Sequence, residues 1–137
     1  MSNIEYRAIL PQGWPRPRGY SHAVVAAGRS QVRIAGQIGV GPGQTEVAPG
    51  TDFGTQWARA MANLVTVLKA AGGEAQNLVV LRAYITDVDE FNRSGAAIGK
   101  SWSELLGKHF PAMTIVQVSR LLDPNAAVEI EGEAVLG

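Results

Sequence analysis

The residues best suited to chemistry lie near the C-terminus, where glutamates alternate with apolar residues. Residues 128–135 read VEIEGEAV. Because side chains of a β-strand point alternately to its two faces, this pattern predicts Glu129, Glu131 and Glu133 on one face and the apolar residues on the other. Like charges one pleat apart repel each other, so this face needs water, basic partners or a subunit boundary. One of these carboxylates could then serve in proton transfer.

A second candidate region is rich in proline, arginine and aromatic residues. Residues 11–19 read PQGWPRPRG, and three prolines and two glycines in nine positions predict a loop. Its side chains Trp14, Arg16 and Arg18, with Tyr20 just beyond, are of the kinds that cradle a small anion. Solvated arginines beside a packed tryptophan are the structural alternative.

The composition narrows the classes of function. The chain has 137 residues, 46% of them apolar, and 12 Lys plus Arg balance 12 Asp plus Glu. This length fits one domain over residues 1–137, and the balanced charge provides no basic surface for nucleic acid. Cysteine is absent, and no set of His and carboxylate residues has metal-ligand spacing, so no metal is expected. No stretch resembles a membrane span or a signal peptide, which predicts a cytoplasmic protein without membrane partners.

Two helices are predicted from periodicity. Apolar residues from Trp57 to Ala71 recur at helical spacing, with Thr51 or Asp52 as the N-cap and Gly72 just past the end. A shorter second helix is predicted around residues 91–106, which Gly107 can end.

Six strands complete the prediction. We expect one hairpin to join residues 22–27 to 31–36, and another to join 110–121 to 127–135, while 78–86 forms a central strand. A strand at 4–10 begins the chain. The order of elements indicates an α+β layer in which both helices cover one face of a mixed sheet. The other face would carry apolar residues that a chain of this size cannot cover, so we expect a symmetric oligomer.

Six short stretches carry a resemblance that extends over nearly the whole chain. They are GYSHAV at 19–24, AGQI at 35–38, the helix end from 63 to 73, YITD at 84–87, HFPA at 109–112 and VEIE at 128–131. Together they resemble the Rid family of reactive-intermediate deaminases, also called the YjgF or L-PSP family. The resemblance implies a chorismate-mutase-like α+β subunit with a mixed six-stranded sheet and two helices on one face. It also implies a homotrimer with a central β-barrel and clefts between subunits.

The resemblance further implies an activity, the hydrolysis of enamines and imines such as 2-aminoacrylate to keto acids and ammonia, without metal or organic cofactor. Glu129 would position or activate the water, and Tyr20 would line the cleft. Ala35 and Gly36 fall in the matching AGQI stretch and would contact the substrate. Water addition to an iminium carbon requires a base, and a carboxylate can fill that role.

The chain departs from the family pattern at three positions. Active members carry an arginine that binds the substrate carboxylate where this chain has Met113, and a thioether cannot make that bidentate contact. The family's cysteine is replaced by Ile115, and its helix asparagine by Gly95. Deamination of 2-aminoacrylate is therefore in doubt.

Two features could compensate for the missing arginine. Arg16 or Arg18 could supply a displaced clamp, or the substrate could be larger and less anionic, for example an aminomuconate-like acid, because Met113, Trp14 and Gly95 would widen the cleft. We favour the second. The alternatives to an enzyme are a non-catalytic small-molecule-binding or chaperone-like trimer and, with less support, an endoribonuclease. The latter is disfavoured by zero net charge and by two histidines, His22 and His109, on separate elements.

Overall fold

The protein has the predicted α+β architecture, with six strands and three α-helices among its described residues. A computed structural model describes residues 4–137, so the first three residues of the predicted domain lie outside the described range. The elements are β1 (Glu5–Ile9), β2 (Ala23–Ala27), β3 (Ser30–Ile38), α1 (Phe53–Ala70), β4 (Leu78–Ile85), α2 (Val88–Arg93), α3 (Gly95–Leu105), β5 (Ala112–Gln117) and β6 (Val128–Leu136). None of the described helices combines the length and apolarity needed to cross a bilayer.

The six strands form two sheets rather than the single sheet predicted. A four-stranded mixed sheet has the order β3-β6-β4-β5, with β4 and β5 parallel, and β1 and β2 form a separate antiparallel pair. The smaller sheet joins the larger one through a bridge between Ser21 and Ala112 and through the Arg29 amide, which donates to the Leu136 carbonyl at 2.7 Å.

Both predicted hairpins are wrong. β2 pairs with β1 and β3 pairs with β6, while β4 lies between β5 and β6. The central position predicted for residues 78–86 is confirmed, because β4 has neighbours on both sides.

The long helix forms as its sequence predicts. The Asp52 side chain accepts a hydrogen bond from the Thr55 amide at 2.8 Å and so caps α1, which also lowers the pKa of this carboxyl. Gly72 takes a left-handed conformation, φ +94°, that ends the helix. The apolar stripe is buried against the sheet, with Trp57, Met61 and Leu64 at most 1% exposed. Each such side chain contributes roughly 1.5–3 kcal/mol to stability.

The predicted second helix is interrupted. Asp87 caps α2, which ends at Arg93, and Ser94, with φ −97° and ψ 14°, separates it from α3. The apolar residues of this region are therefore divided between two short helices. Gly107, φ +63°, follows the end of α3 as predicted.

The four-stranded sheet has two different faces. Helices cover the face that carries Leu81, Ala83, Val128 and Ile130, all of them fully buried. The opposite face, the helix-free face, was expected to be apolar, and that expectation is wrong because alternation places charged residues of three strands there. It is formed by Arg33, Arg82, Tyr84, Thr114, Val116, Glu129, Glu131 and Glu133.

Candidate functional site

A cavity of about 630 Å³ lies between the helices and β5, and we call it the main cavity. The helices contribute aromatic side chains from α1, α2 and α3, and the proline-rich loop reaches its edge. Its volume is in the range of small-molecule sites. It is lined by Arg18, Gly19, Tyr20, Trp57, Phe91, Gly95, Ile98, Gly99, Trp102, Ser103, Gly107, Lys108, Phe110, Met113 and Ile115.

Five of the predicted site residues meet in the main cavity. Met113 and Ile115 are two residues apart on β5, so their side chains point to the same face, the helix-covered one. Met113 also packs against the core. Gly95, at the first position of α3, lies across the cavity from them, and Tyr20 and Arg18 approach from the loop. The departures from the family pattern at positions 95, 113 and 115 therefore share one cavity.

Glu129 does not lie there. It alternates on β6 with the fully buried Val128 and Ile130, so its side chain points to the helix-free face. It lines a second cavity of about 470 Å³ with Gly36 of β3, Glu46 of the loop after β3 and residues 122–125 of the loop before β6. A Cβ at position 36 would collide with the Glu129 carboxylate, so the close approach requires glycine.

The remaining predicted residues are dispersed. Ala35 lines a shallow pocket beside Arg82, Glu131 and Glu133. Trp14 is 56% exposed and contacts the ring of His22 edge-on, with 5.0 Å between centroids. Arg16 is exposed and lines none of the described cavities.

The row of glutamates is neutralised at two of its three members. Arg82 on β4 lies 3.3 Å from Glu131 and 3.2 Å from Glu133, and the Tyr84 hydroxyl donates to Glu131 at 3.1 Å. The hydrogen bond that Arg82 donates to Glu133 is the main reason that the pKa of Arg82 is raised. Within residues 4–137, no ion pair or hydrogen bond engages the Glu129 carboxylate, which leaves it available to water or a ligand.

Several residues of the site were missed by the sequence analysis. Trp57 was interpreted as a core residue of the first helix and Trp102 only as an apolar residue of the second, yet both also line the main cavity. Gln56 was missed as well. It is 3% exposed and holds the chain before β6, since its Nε2 donates to the Asn125 carbonyl at 3.1 Å and its Oε1 accepts from the Ala127 amide at 2.7 Å. A glutamine within the apolar stripe of α1 was the available signal.

The described residues offer no ligand set for a metal. Within residues 4–137, no group of three or more His, Cys, Asp and Glu side chains is placed to hold an ion. His109 is half-buried, and its Nε2 donates to the Leu78 carbonyl at 2.8 Å, because a carbonyl can only accept.

Comparisons with known proteins agree with this fold. Residues 15–136 match the family described as Endoribonuclease L-PSP. The RutC family protein PH0854 of Pyrococcus horikoshii is 32% identical over 127 residues, which cover 92% of this chain and 94% of that protein. Human 2-iminobutanoate/2-iminopropanoate deaminase is 29% identical over 138 residues, which cover 100% of this chain and 95% of that protein.

A solved structure extends the likeness to three dimensions. YyfB of Yersinia pestis, described as a member of the conserved Rid protein family, has a TM-score of 0.80 at 30% identity, over 96% of this chain and 98% of that chain. The resemblance predicted from short stretches is thus confirmed along nearly the whole length, and the chain belongs to the Endoribonuclease L-PSP family, which includes the YjgF and Rid proteins.

Proposed function

We propose that this protein is an enamine or imine deaminase that acts as a homotrimer, with each site shared by two neighbouring subunits. The observation that carries the proposal is the separation of the predicted site residues. Met113 and Tyr20 line a cavity on the helix-covered side, and Glu129 lies on the opposite face of the same sheet. One subunit therefore does not bring base and cavity together, whereas Glu129 of one subunit can complete the cavity of another.

The reaction needs only water and proton transfer. Water adds to the iminium carbon and forms a C–O bond, after which the C–N bond breaks, so that a keto compound and ammonia result. Glu129 accepts one proton of the attacking water and returns it to the nitrogen, and it then takes the remaining hydroxyl proton as the C=O bond forms and the C–N bond breaks. Its freedom from ion pairs suits this role, whereas Arg82 engages Glu131 and Glu133. Human 2-iminobutanoate/2-iminopropanoate deaminase, a relative over the full chain, supports the reaction class.

The substrate we propose is larger and more apolar than 2-aminoacrylate. Met113 cannot bind a carboxylate through two hydrogen bonds, and the main cavity is lined mostly by apolar side chains. Arg18 reaches the cavity edge and Arg16 does not, so only the former can serve as a displaced clamp.

The same methionine favours a second candidate, a trimer that binds small molecules without converting them. Such a protein would be stabilised by small acids that it leaves unchanged. An endoribonuclease has less support, because the His109 ring is half-buried and bonded to the Leu78 carbonyl.

The test replaces the proposed base. Imines are generated in the assay by an amino-acid oxidase acting on a range of amino acids, and the imine that survives is trapped and quantified. We expect Glu129→Gln to lower kcat by about 10²–10⁴-fold, the range for loss of a general base. Glu133→Gln, on the same strand and face, is the matched control and should retain activity.

Equal rates for the wild type and Glu129→Gln would refute the assignment of the base. A wild type that is thermally stabilised by acids but consumes no imine would establish the binding alternative.

A further inference from the structure

The main cavity has an aromatic wall. Trp57 and Phe91 contact each other with ring centroids 5.6 Å apart, and Trp102 stacks on Phe110 at 5.9 Å with 10° between the ring planes. All four side chains line the cavity. Aromatic faces and edges of this kind pack well against another ring.

The space in front of this wall exists because two residues of α3 lack side chains. Gly95 and Gly99 are four residues apart and therefore lie on the same face of the helix, and both line the cavity. A Cβ at either position would meet no atom within 4 Å. Glycine weakens a helix, so the room here is kept at the expense of local stability.

The polar groups of the cavity point to an anionic ligand. Among residues 4–137, the charged residues that line the cavity are Arg18 and Lys108, and no Asp or Glu does. Both are exposed, which places them at the cavity mouth. Deeper inside, Trp57 is 1% exposed and its indole N–H has no hydrogen-bond acceptor within the described residues. This N–H is closed off from the cavity space, so the two cations at the mouth, and not the indole, are the groups that can bind an anionic ligand.

From these observations we infer that the main cavity is a specificity pocket for an imino acid that carries one aromatic ring, or an apolar group of similar size. The ring occupies the space before Gly95 and Gly99, and the carboxylate binds Arg18 and Lys108 at the mouth. The inference rests on the proposed function for the reaction but concerns the part of the substrate that does not react.

Binding of stable keto acids tests the pocket without turnover. Phenylpyruvate carries the ring and pyruvate lacks it, and calorimetry gives a Kd for each with the intact assembly. We expect phenylpyruvate to bind at least about tenfold more tightly, since even one methylene group in an apolar pocket changes affinity by about that factor. Equal affinities would overturn the inference.

A second test compares a variant that fills the pocket with a matched variant that does not. Gly99→Leu places a side chain in the open space and should remove the advantage of phenylpyruvate while leaving the Kd of pyruvate unchanged. Ala96→Leu, exposed on the same helix and outside the cavity lining, should bind both acids as the wild type does. Gly95→Leu repeats the test at a second site if Gly99→Leu does not fold. Unaltered binding in a folded filled variant would overturn the inference.

The carboxylate contact is tested by a double variant. Arg18→Gln with Lys108→Gln should weaken phenylpyruvate binding but not binding of phenylacetone, a neutral ketone with the same ring. An equal loss for both ligands would contradict the assigned role of the two cations.

The outcomes separate this inference from the proposed function. Glu129→Gln should bind phenylpyruvate as the wild type does, even though it no longer converts imines. Ring-dependent binding without any turnover would refute only the deaminase assignment, and turnover without ring preference would refute only the pocket. If Gly99→Leu lowers the mass of the assembly, the space belongs to a neighbouring subunit and the inference fails.

Discussion

At the scale of single residues, three chemically identical glutamates differ in the partners that surround them. Glu131 and Glu133 face Arg82 on the adjacent strand, so their charges are compensated within the subunit. Glu129 lies two residues before Glu131 on β6, beside Gly36, and has no such partner within residues 4–137. Screening by water and salt makes the Arg82 pairs worth only about 0–1 kcal/mol each at their half-exposed positions. Their main effect is to leave one carboxylate uncompensated.

His109 gives a prediction about pH. Burial lowers the pKa of this histidine, and the hydrogen bond to the Leu78 carbonyl opposes that effect only in part. A pKa below the unfolded value of about 6.5 favours the neutral ring in the folded state. Its contribution to stability is therefore complete above about pH 6.5 and is lost as the pH falls toward the lower folded pKa.

We expect urea unfolding of the wild type to show a fall in stability between pH 7 and pH 5, and His109→Gln to show a shallower fall. His22→Gln, which changes an exposed histidine, controls for the protonation of carboxylates and should follow the wild type. Parallel curves for wild type and His109→Gln would contradict the prediction.

Sequence alone predicted which residues face the same way but not what they face. Alternation on β6 correctly separated Glu129 from the buried Val128, because that pattern is local. The pairing with Arg82 depends on which strand lies next to β6, which the sequence does not encode locally. In the same way, helical spacing identified Trp57 and Trp102 as apolar-face residues. Spacing cannot tell whether the space against such a face is filled or open.

At the scale of elements, strand identity was predictable and strand order was not. All six strands were anticipated, and both predicted hairpins failed, because proximity in sequence favours a hairpin only when no better neighbour competes. Here β4 pairs with both C-terminal strands and separates them. The second helix broke at Ser94, although its apolar residues suggested one segment.

Gln56 links elements, and its removal tests how the approach to Glu129 is held. The side chain binds three backbone groups, the carbonyls of Thr51 and Asn125 and the amide of Ala127, at 2.7–3.1 Å. Gln56→Leu keeps the volume but leaves these groups without partners. We expect a loss of about 2–4 kcal/mol in the free energy of unfolding, measured by urea titration.

The matched control is Gln31→Leu, because the Gln31 side chain is exposed and, in the part of the chain that the structure describes, accepts only from Arg33. This variant should remain within about 0.5 kcal/mol of the wild type. A comparable effect of the two substitutions would contradict the stabilising role assigned to the three hydrogen bonds of Gln56.

At the scale of the whole molecule, the two halves of the proposed site lie on opposite faces of one sheet. The helix-free face does not offer the apolar surface that was expected to drive association, since charged residues dominate it. Apolar residues of β5 remain exposed at the border of both surfaces, among them Ile115 and Val116. The incomplete site and this apolar border therefore favour association, whereas the helix-free face as a whole does not.

The assembly can be tested with a pair of matched valines. Val116 on the helix-free face is 43% exposed, and Val67 on α1 is 40% exposed. We expect the wild type to sediment at about three times the 14.5 kDa subunit mass. Val116→Glu should yield folded monomers without deaminase activity, because an unpaired charge buried between subunits costs several kcal/mol. Val67→Glu adds the same charge away from that surface and should remain trimeric and active. A monomeric wild type with full activity would refute the shared site, because Glu129 and the main cavity would then have to act from opposite faces of one sheet.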